Sequence, residues 1–262
     1  MRILVLQARA NSPIFIFLPK KQLTLTLCHV LDCIHLNHKE GIMNRRNFCL
    51  SSATVLLTAC TGSLFSKASD NIKKVYIIHG YGATPDDHWF PWLKAILENQ
   101  NIVVDAVKLP QSHQPDFNLW QTTLAEHIGR PQKNDIFIAH SLGTISLLHY
   151  LSKHKPMSIG GLILVSGFGR RLPKLSTING FNVDAYIDSA NLDLAAIRTM
   201  SPQIYSIISG NDSIVDPEES LKLAEQLHSK IISIPKGGHF LAQDGFRQLP
   251  QILPPLKHFL EP

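Results

Sequence analysis

Three residues have the types and the spacing of an acyl-transfer centre, and each stands just past an apolar run. Ser141 follows "DIFIAH" and precedes Leu142-Gly143 and an amphipathic stretch, so it sits where a buried strand turns into a helix. A serine hydroxyl is a weak nucleophile at neutral pH; it needs a base beside it, and the base needs an acid to hold its tautomer. Further along, "QIYSIIS" is followed by Gly210-Asn211-Asp212, and "KIISI" by Pro235-Lys236-Gly237-Gly238-His239. The order nucleophile, acid, base, each after a strand, suits nucleophilic attack on a carbonyl. Read alone, Ser141 would serve equally as a helix N-cap, but that leaves Asp212 and His239 unexplained.

The same reading assigns the neighbours. Small residues must flank Ser141 because a sharp strand-to-helix turn brings strand and helix together, and Ala139 and Gly143 fill those places, the first one methyl larger than the glycine usual there. Developing negative charge needs backbone donors, expected from the N–H groups of Leu142 and of Tyr81 in "HGYG". Asp216 competes with Asp212 as the acid, but Asp216-Pro217-Glu218-Glu219 reads as a helix start. Asp86, Asp87 and His88 read as an N-cap and first-turn acids before "WFPWL" rather than as a metal cluster, and no metal or cofactor is expected. Among Trp89, Phe90 and Trp92, core packing is expected for at least two, against a place in an acyl pocket. His140 is read as packing or supporting the site, and His79 as structural. Arg170 and Arg171 read as an exposed basic pair, with an anion clamp as the alternative.

Those residues need a scaffold that presents strand ends side by side. Short apolar runs at 74–79, 102–109, 135–139, 161–165, 203–208 and 230–234 alternate with helix-like segments at 89–98, 118–128, 142–152, 192–200, 217–227 and 246–259. "VYII", "IFIA" and "LILV" lack polar alternation, as strands covered on both faces do. The pattern predicts an α/β fold, a mainly parallel sheet with helices on both faces, forming one domain over 73–262. Residues 167–191 have little periodicity and read either as a small cap over the strand ends or as a surface excursion.

Composition separates this body from what precedes it. Of 262 residues, 44% are hydrophobic and 17% charged, within the globular range. The net charge of +5 is not spread evenly. Residues 1–59 hold seven Lys/Arg and two Asp/Glu, while 60–262 hold eighteen of each, so the body is neutral and carries no basic patch for nucleic acid. All four cysteines, Cys28, Cys33, Cys49 and Cys60, lie in the first quarter, which excludes a disulfide framework in the body.

From Met43 the chain reads as a leader: Arg45 and Arg46, an apolar stretch over 49–59, then small residues. Arg45-Arg46-Asn47-Phe48 resembles a twin-arginine export signal, and Leu57-Thr58-Ala59-Cys60 resembles a lipobox in which Cys60 becomes the lipidated first residue. The expectation is a signal peptide over 43–59, a lipidated tether over 60–72, and an exported, periplasmic-side lipoprotein attached to a bacterial membrane. A flexible segment like 61–72 reaches roughly 20 Å. Residues 1–42 then lie upstream of a complete signal, so translation is expected to begin at Met43 and the first 42 residues to be foreign to the native protein.

Taken together, "VYIIHGYGATPDDHWFPWLKAIL", "FIAHSLGT", "SGNDSIVDP" and "GGHF" resemble the small single-domain serine hydrolases of the family that includes retinoblastoma-binding protein 9 and its bacterial relatives. The resemblance runs from Lys74 to about Leu260. It implies an α/β-hydrolase without a large lid, and carries nucleophile, acid and base onto Ser141, Asp212 and His239. The expected activity is hydrolysis of a carboxylic ester, thioester or amide of a small-molecule acyl substrate through an acyl-enzyme. A catalytically silent ligand- or partner-binding protein on the same scaffold is the alternative.

Overall fold

A computed structural model describes residues 2–7, 13–18 and 73–261. The first two segments, β1 (Arg2–Gln7) and β2 (Pro13–Leu18), pair antiparallel with each other as a unit of their own. The expectations for the signal peptide, Cys60 and the tether fall outside the described residues.

The body begins with β3 (Lys74–Ile78), α1 (Phe90–Glu98), β4 (Val103–Val107), α2 (Phe117–Ile128), β5 (Asp135–His140), α3 (Leu142–His154) and β6 (Gly161–Val165). A short hairpin, β7 (Thr177–Ile178) and β8 (Phe181–Asn182), leads into α4 (Val183–Asp188) and α5 (Leu194–Met200). The chain then closes with β9 (Ile204–Ser209), α6 (Pro217–Gln226), β10 (Lys230–Ile234) and α7 (Leu253–Leu260). Six strands form one sheet in the order β10-β9-β6-β5-β3-β4, and every neighbouring pair is parallel. This is the parallel α/β sheet that the alternation of runs predicts, in the α/β-hydrolase form that the resemblance implies.

Strand periodicity divides the core cleanly. Tyr76, Ile78, Phe137, Ala139, Leu162 and Leu164 face a cluster shared with α2, α3, α5 and α6, whereas Val75, Ile77, Ile136, Ile138, Ile163 and Val165 face one shared with α1 and α7. β3, β5 and β6 are therefore apolar on both faces, which is why their sequences show continuous runs. The chain reverses its direction across the sheet between β3 and β5, so a crevice opens at their carboxyl ends. Tyr81 and Ser141 lie in the loops leaving those two strands.

Two local expectations are corrected. The last helix begins at Leu253 rather than at 246, after single 3₁₀ turns at Ala242–Asp244 and Pro250–Ile252. Pro250 lacks an amide donor, and Pro254 and Pro255 fit only the first turn of a helix, where amides have no partner to lose. Asp87 does not cap α1: its carboxylate accepts from the backbone and hydroxyl of Thr84 at 2.8 Å each, closing a turn upstream, and the N-cap position is Trp89. The stretch at 167–191, read as a small cap or a surface excursion, contains the β7–β8 hairpin and α4. Its two-residue turn, Asn179-Gly180, has φ of 48° and 80°, the left-handed pair that Asn-Gly tolerates. No helix among the described residues is long and apolar enough to cross a membrane.

Candidate active site

Ser141 follows β5 directly, with φ 54° and ψ −128°, a strained backbone for a residue with a side chain. Its amide donates to Val165 O at 3.0 Å and its carbonyl accepts from Thr144 N at 2.9 Å, so neighbouring elements fix the turn from both sides. Although Ser141 occupies the N-cap position of α3, its hydroxyl makes no capping bond. Oγ instead lies 2.8 Å from His239 Nε2. The glycine requirement is steric. A Cβ on Gly143 would stand 2.3 Å from His79 O, and one on Gly80 would stand 2.9 Å from Ser141 Cβ. Ala139, by contrast, places its methyl in the core beside α3 and is fully buried there. The extra methyl relative to glycine is thus accommodated as packing.

His239 Nδ1 donates to Asp212 Oδ2 at 2.8 Å, because a carboxylate only accepts, which leaves Nε2 free to accept from Ser141. Asp212 is fully provided for. Oδ2 also accepts from Ser166 Oγ at 2.7 Å, and Oδ1 accepts from the amides of Ile214 and Val215 at 2.9 Å each. Burial by itself would raise its pKa; the hydrogen bond and charge of His239, with Ser166 and the Ile214 amide, outweigh this and hold it below the usual carboxylate range. The competing acid Asp216 caps α6 through Glu218 N at 3.1 Å and pairs with Lys174 at 2.9 Å, as its position before Pro217 suggests.

The loop that carries the base is itself held. Asp244 Oδ2 accepts from the amides of His239 and Leu241, at 2.8 and 3.1 Å. Asn211 Oδ1 accepts from Gly238 N at 2.9 Å and ties this loop to the one that bears Asp212. His140 Nε2 donates to His239 O at 2.9 Å from a fully buried ring whose Nδ1 has no partner. Burial, and then the neighbouring His239, keep His140 well below the ordinary histidine pKa, so it acts as a neutral prop. His79 is structural: Nδ1 donates to Gly80 O, and Nε2 accepts from Leu109 N at 3.0 Å.

A cavity of about 350 Å³ opens over Ser141 and His239, lined by Tyr81, His88, Leu142, Phe168, Leu172, Ile178, Phe181, Val183 and Ile214 among others. Trp89 and Phe90 are buried in the core instead, and Trp92 packs half-buried against it. Arg170 and Arg171 also lie away from the cavity lining. Arg170 grips Glu219 through two bonds of 2.6 and 3.0 Å, and Arg171 pairs with Asp188. Four contributors to the site had no sequence expectation attached: Ser166, Asp244, Asn211 and Gly80. Only Gly80, in "HGYG" beside a strand end, carried a visible signal.

Comparisons with known proteins bear on the family and the fold. A family model described as serine hydrolase matches residues 75–258. The chain belongs to the serine hydrolase family. YdeN of Bacillus subtilis (strain 168) is 36% identical over 180 residues, covering 68% of this chain and 91% of YdeN. The crystal structure of the B. subtilis ydeN gene product superposes with a TM-score of 0.66 at 34% identity, covering 71% of this chain and 98% of that one. A YdeN-like protein from Pectobacterium atrosepticum, at 19% identity, TM-score 0.53 and 72% and 91% coverage, shares the fold. So does mouse alpha/beta hydrolase domain-containing protein 10, at 14% identity, TM-score 0.51 and 72% and 90% coverage. Family membership and fold match the resemblance read from the sequence.

Proposed function

We propose that the protein is a serine hydrolase that cleaves a carboxylic ester or thioester through an acyl-enzyme, with amides the less favoured substrates. The observation that carries this reading is the continuous chain Ser141 Oγ, His239 Nε2, His239 Nδ1, Asp212 Oδ2, with both links at 2.8 Å. Ser141 attacks the carbonyl carbon and its proton passes to His239. The developing imidazolium is stabilised by Asp212, which stays ionised. His239 then returns the proton to the leaving oxygen or sulfur, and water repeats the sequence on the acyl-enzyme.

The N–H groups of Leu142 and Tyr81 are the proposed oxyanion donors. In support, neither has an intramolecular acceptor among the described residues, and the Gly80 backbone lies close enough to Leu142 N that a Cβ there would come within 3.2 Å. Labelling of the full chain by a fluorophosphonate probe tests the catalytic reading: wild type should label, and Ser141→Ala and His239→Ala should not. A folded wild type that stays unlabelled would instead favour the silent binding protein.

The leader supports a second proposal, that the mature chain is an exported lipoprotein anchored at Cys60 with translation starting at Met43. Incorporation of labelled palmitate in the native host, lost in Cys60→Ala, is the expected result. Peptides from residues 1–42 recovered by mass spectrometry would refute the proposed start.

A further inference from the structure

The cavity over Ser141 is walled beside the β7–β8 hairpin mainly by apolar side chains. Leu142, Leu172, Leu175, Ile178, Phe181 and Val183 all belong to or pack on one core cluster, and the polar groups among them are uncharged Asn179, Tyr81 stacked on Phe181, and His113 edge-on to Tyr81. His88, His239, Leu241 and Gln243 line it where the loop after β10 meets the segment before α1 through a 3.1 Å bond from Ala242 N to His88 Nδ1. Among the described residues, no Asp, Glu, Lys or Arg lines the cavity. Its volume of about 350 Å³ lies at the small end of the roughly 300–1,000 Å³ typical of ligand pockets.

Reaction geometry decides which half of the substrate meets which wall. The leaving atom must lie toward His239 Nε2, which protonates it, and the oxyanion must lie toward the amides. The acyl chain takes the remaining direction. Resting on the catalytic role of Ser141, we propose that the apolar wall built by the β7–β8 hairpin and the start of α4 is an acyl pocket. It selects esters or thioesters of uncharged, apolar acids of modest length and rejects acyl groups that carry a charge. A carboxylate placed there would lose its hydration and meet no Lys or Arg in exchange, whereas each added methylene gains contact until the pocket is full.

The test uses the full chain and p-nitrophenyl acetate, butyrate, octanoate and hemisuccinate. Butyrate should exceed acetate in kcat/KM by at least about tenfold, as one or two methylenes in an apolar pocket provide. Hemisuccinate, close to butyrate in shape apart from its carboxylate, should fall about a hundredfold or more below it. Ile178→Trp should lower the octanoate-to-acetate ratio, and Ile178→Arg should raise the hemisuccinate-to-butyrate ratio. Fluorophosphonate labelling of wild type separates the two readings. A labelled enzyme that hydrolyses hemisuccinate as well as butyrate overturns the acyl pocket and leaves the nucleophile standing. A chain that neither labels nor turns over any ester overturns both.

Discussion

Ser166 shows what a single hydroxyl contributes at this site. It is buried at the end of β6 with φ 44°, and its Oγ donates to the same Asp212 oxygen that receives the His239 proton donor. Ser166→Ala would remove one of the four hydrogen bonds that hold the Asp212 carboxylate. The expected result is a fall in kcat/KM for a butyrate ester of about tenfold, since a hydrogen bond to a charged group is worth roughly 1.5–3 kcal/mol and the reaction feels only part of it. An unchanged kcat/KM would mean that the hydroxyl takes no part in holding Asp212. Ser141, Asp212 and His239 were legible because each follows a strand in a fixed order. Ser166 was not, since a serine after "LILV" has no partner visible in sequence; only the adjacency of β6 and β9 brings it to Asp212. Gly143→Ala should cost about 3 kcal/mol or more, from overpacking against the His79 carbonyl. Ala139→Gly should cost only about 0.5–1 kcal/mol, for backbone freedom. Denaturant titration of the two variants checks that contrast.

At the scale of elements, the segment between β6 and β9 supplies much of the cavity lining, and it was the least legible. Its strands are two residues each, too short to show alternation, yet Asn179-Gly180 is a hairpin turn signal that composition alone hides. Gly180 has φ 80° with open space around its Cα, so Gly180→Ala strains the backbone without a clash and should cost about 1–2 kcal/mol locally. Because the hairpin forms the cavity wall and carries none of the triad, KM for a butyrate ester should rise while kcat changes little. An equal fall in kcat would show that the hairpin also orders the catalytic residues. Glu219 docks the start of this segment from α6. Its side chain is only 3% exposed and accepts from both Arg170 and Lys222. Glu219→Ala should therefore destabilise more than Arg170→Ala, which leaves Lys222 in place; thermal melts of the two variants rank them. The last helix was misjudged for a different reason. The apolar periodicity over 246–259 is interrupted by the prolines at 250, 254 and 255, which confine the α-helix to the eight residues Leu253–Leu260.

Across the whole molecule, the histidines make stability depend on pH in one direction. His79, His88, His140, His149 and His154 are all held below the ordinary histidine value, and burial is the largest cause for each. In the unfolded chain these groups take up protons near pH 6.5. The native state resists, so below that point the unfolded state binds more protons and stability falls with pH. Their full contribution is present above about pH 6.5 and declines toward the lower native values. Asp212, depressed below its unfolded value, acts with the same sign further down, losing its contribution as pH falls through its native pKa. His140 should dominate the first phase. Its ring is buried, its Nδ1 has no partner among the described residues, it sits 4.9 Å ring to ring from His239, and His88 and His79 also face it. The Tm of wild type should be flat between about pH 7 and 8 and fall steeply below about pH 6.5. His140→Gln keeps an amide donor for the His239 carbonyl but cannot take up a proton, so its Tm should fall more gently over the same range. Calorimetry at closely spaced pH values reads both slopes. If they coincide, the acid sensitivity lies elsewhere and His140 opens to solvent before the chain unfolds.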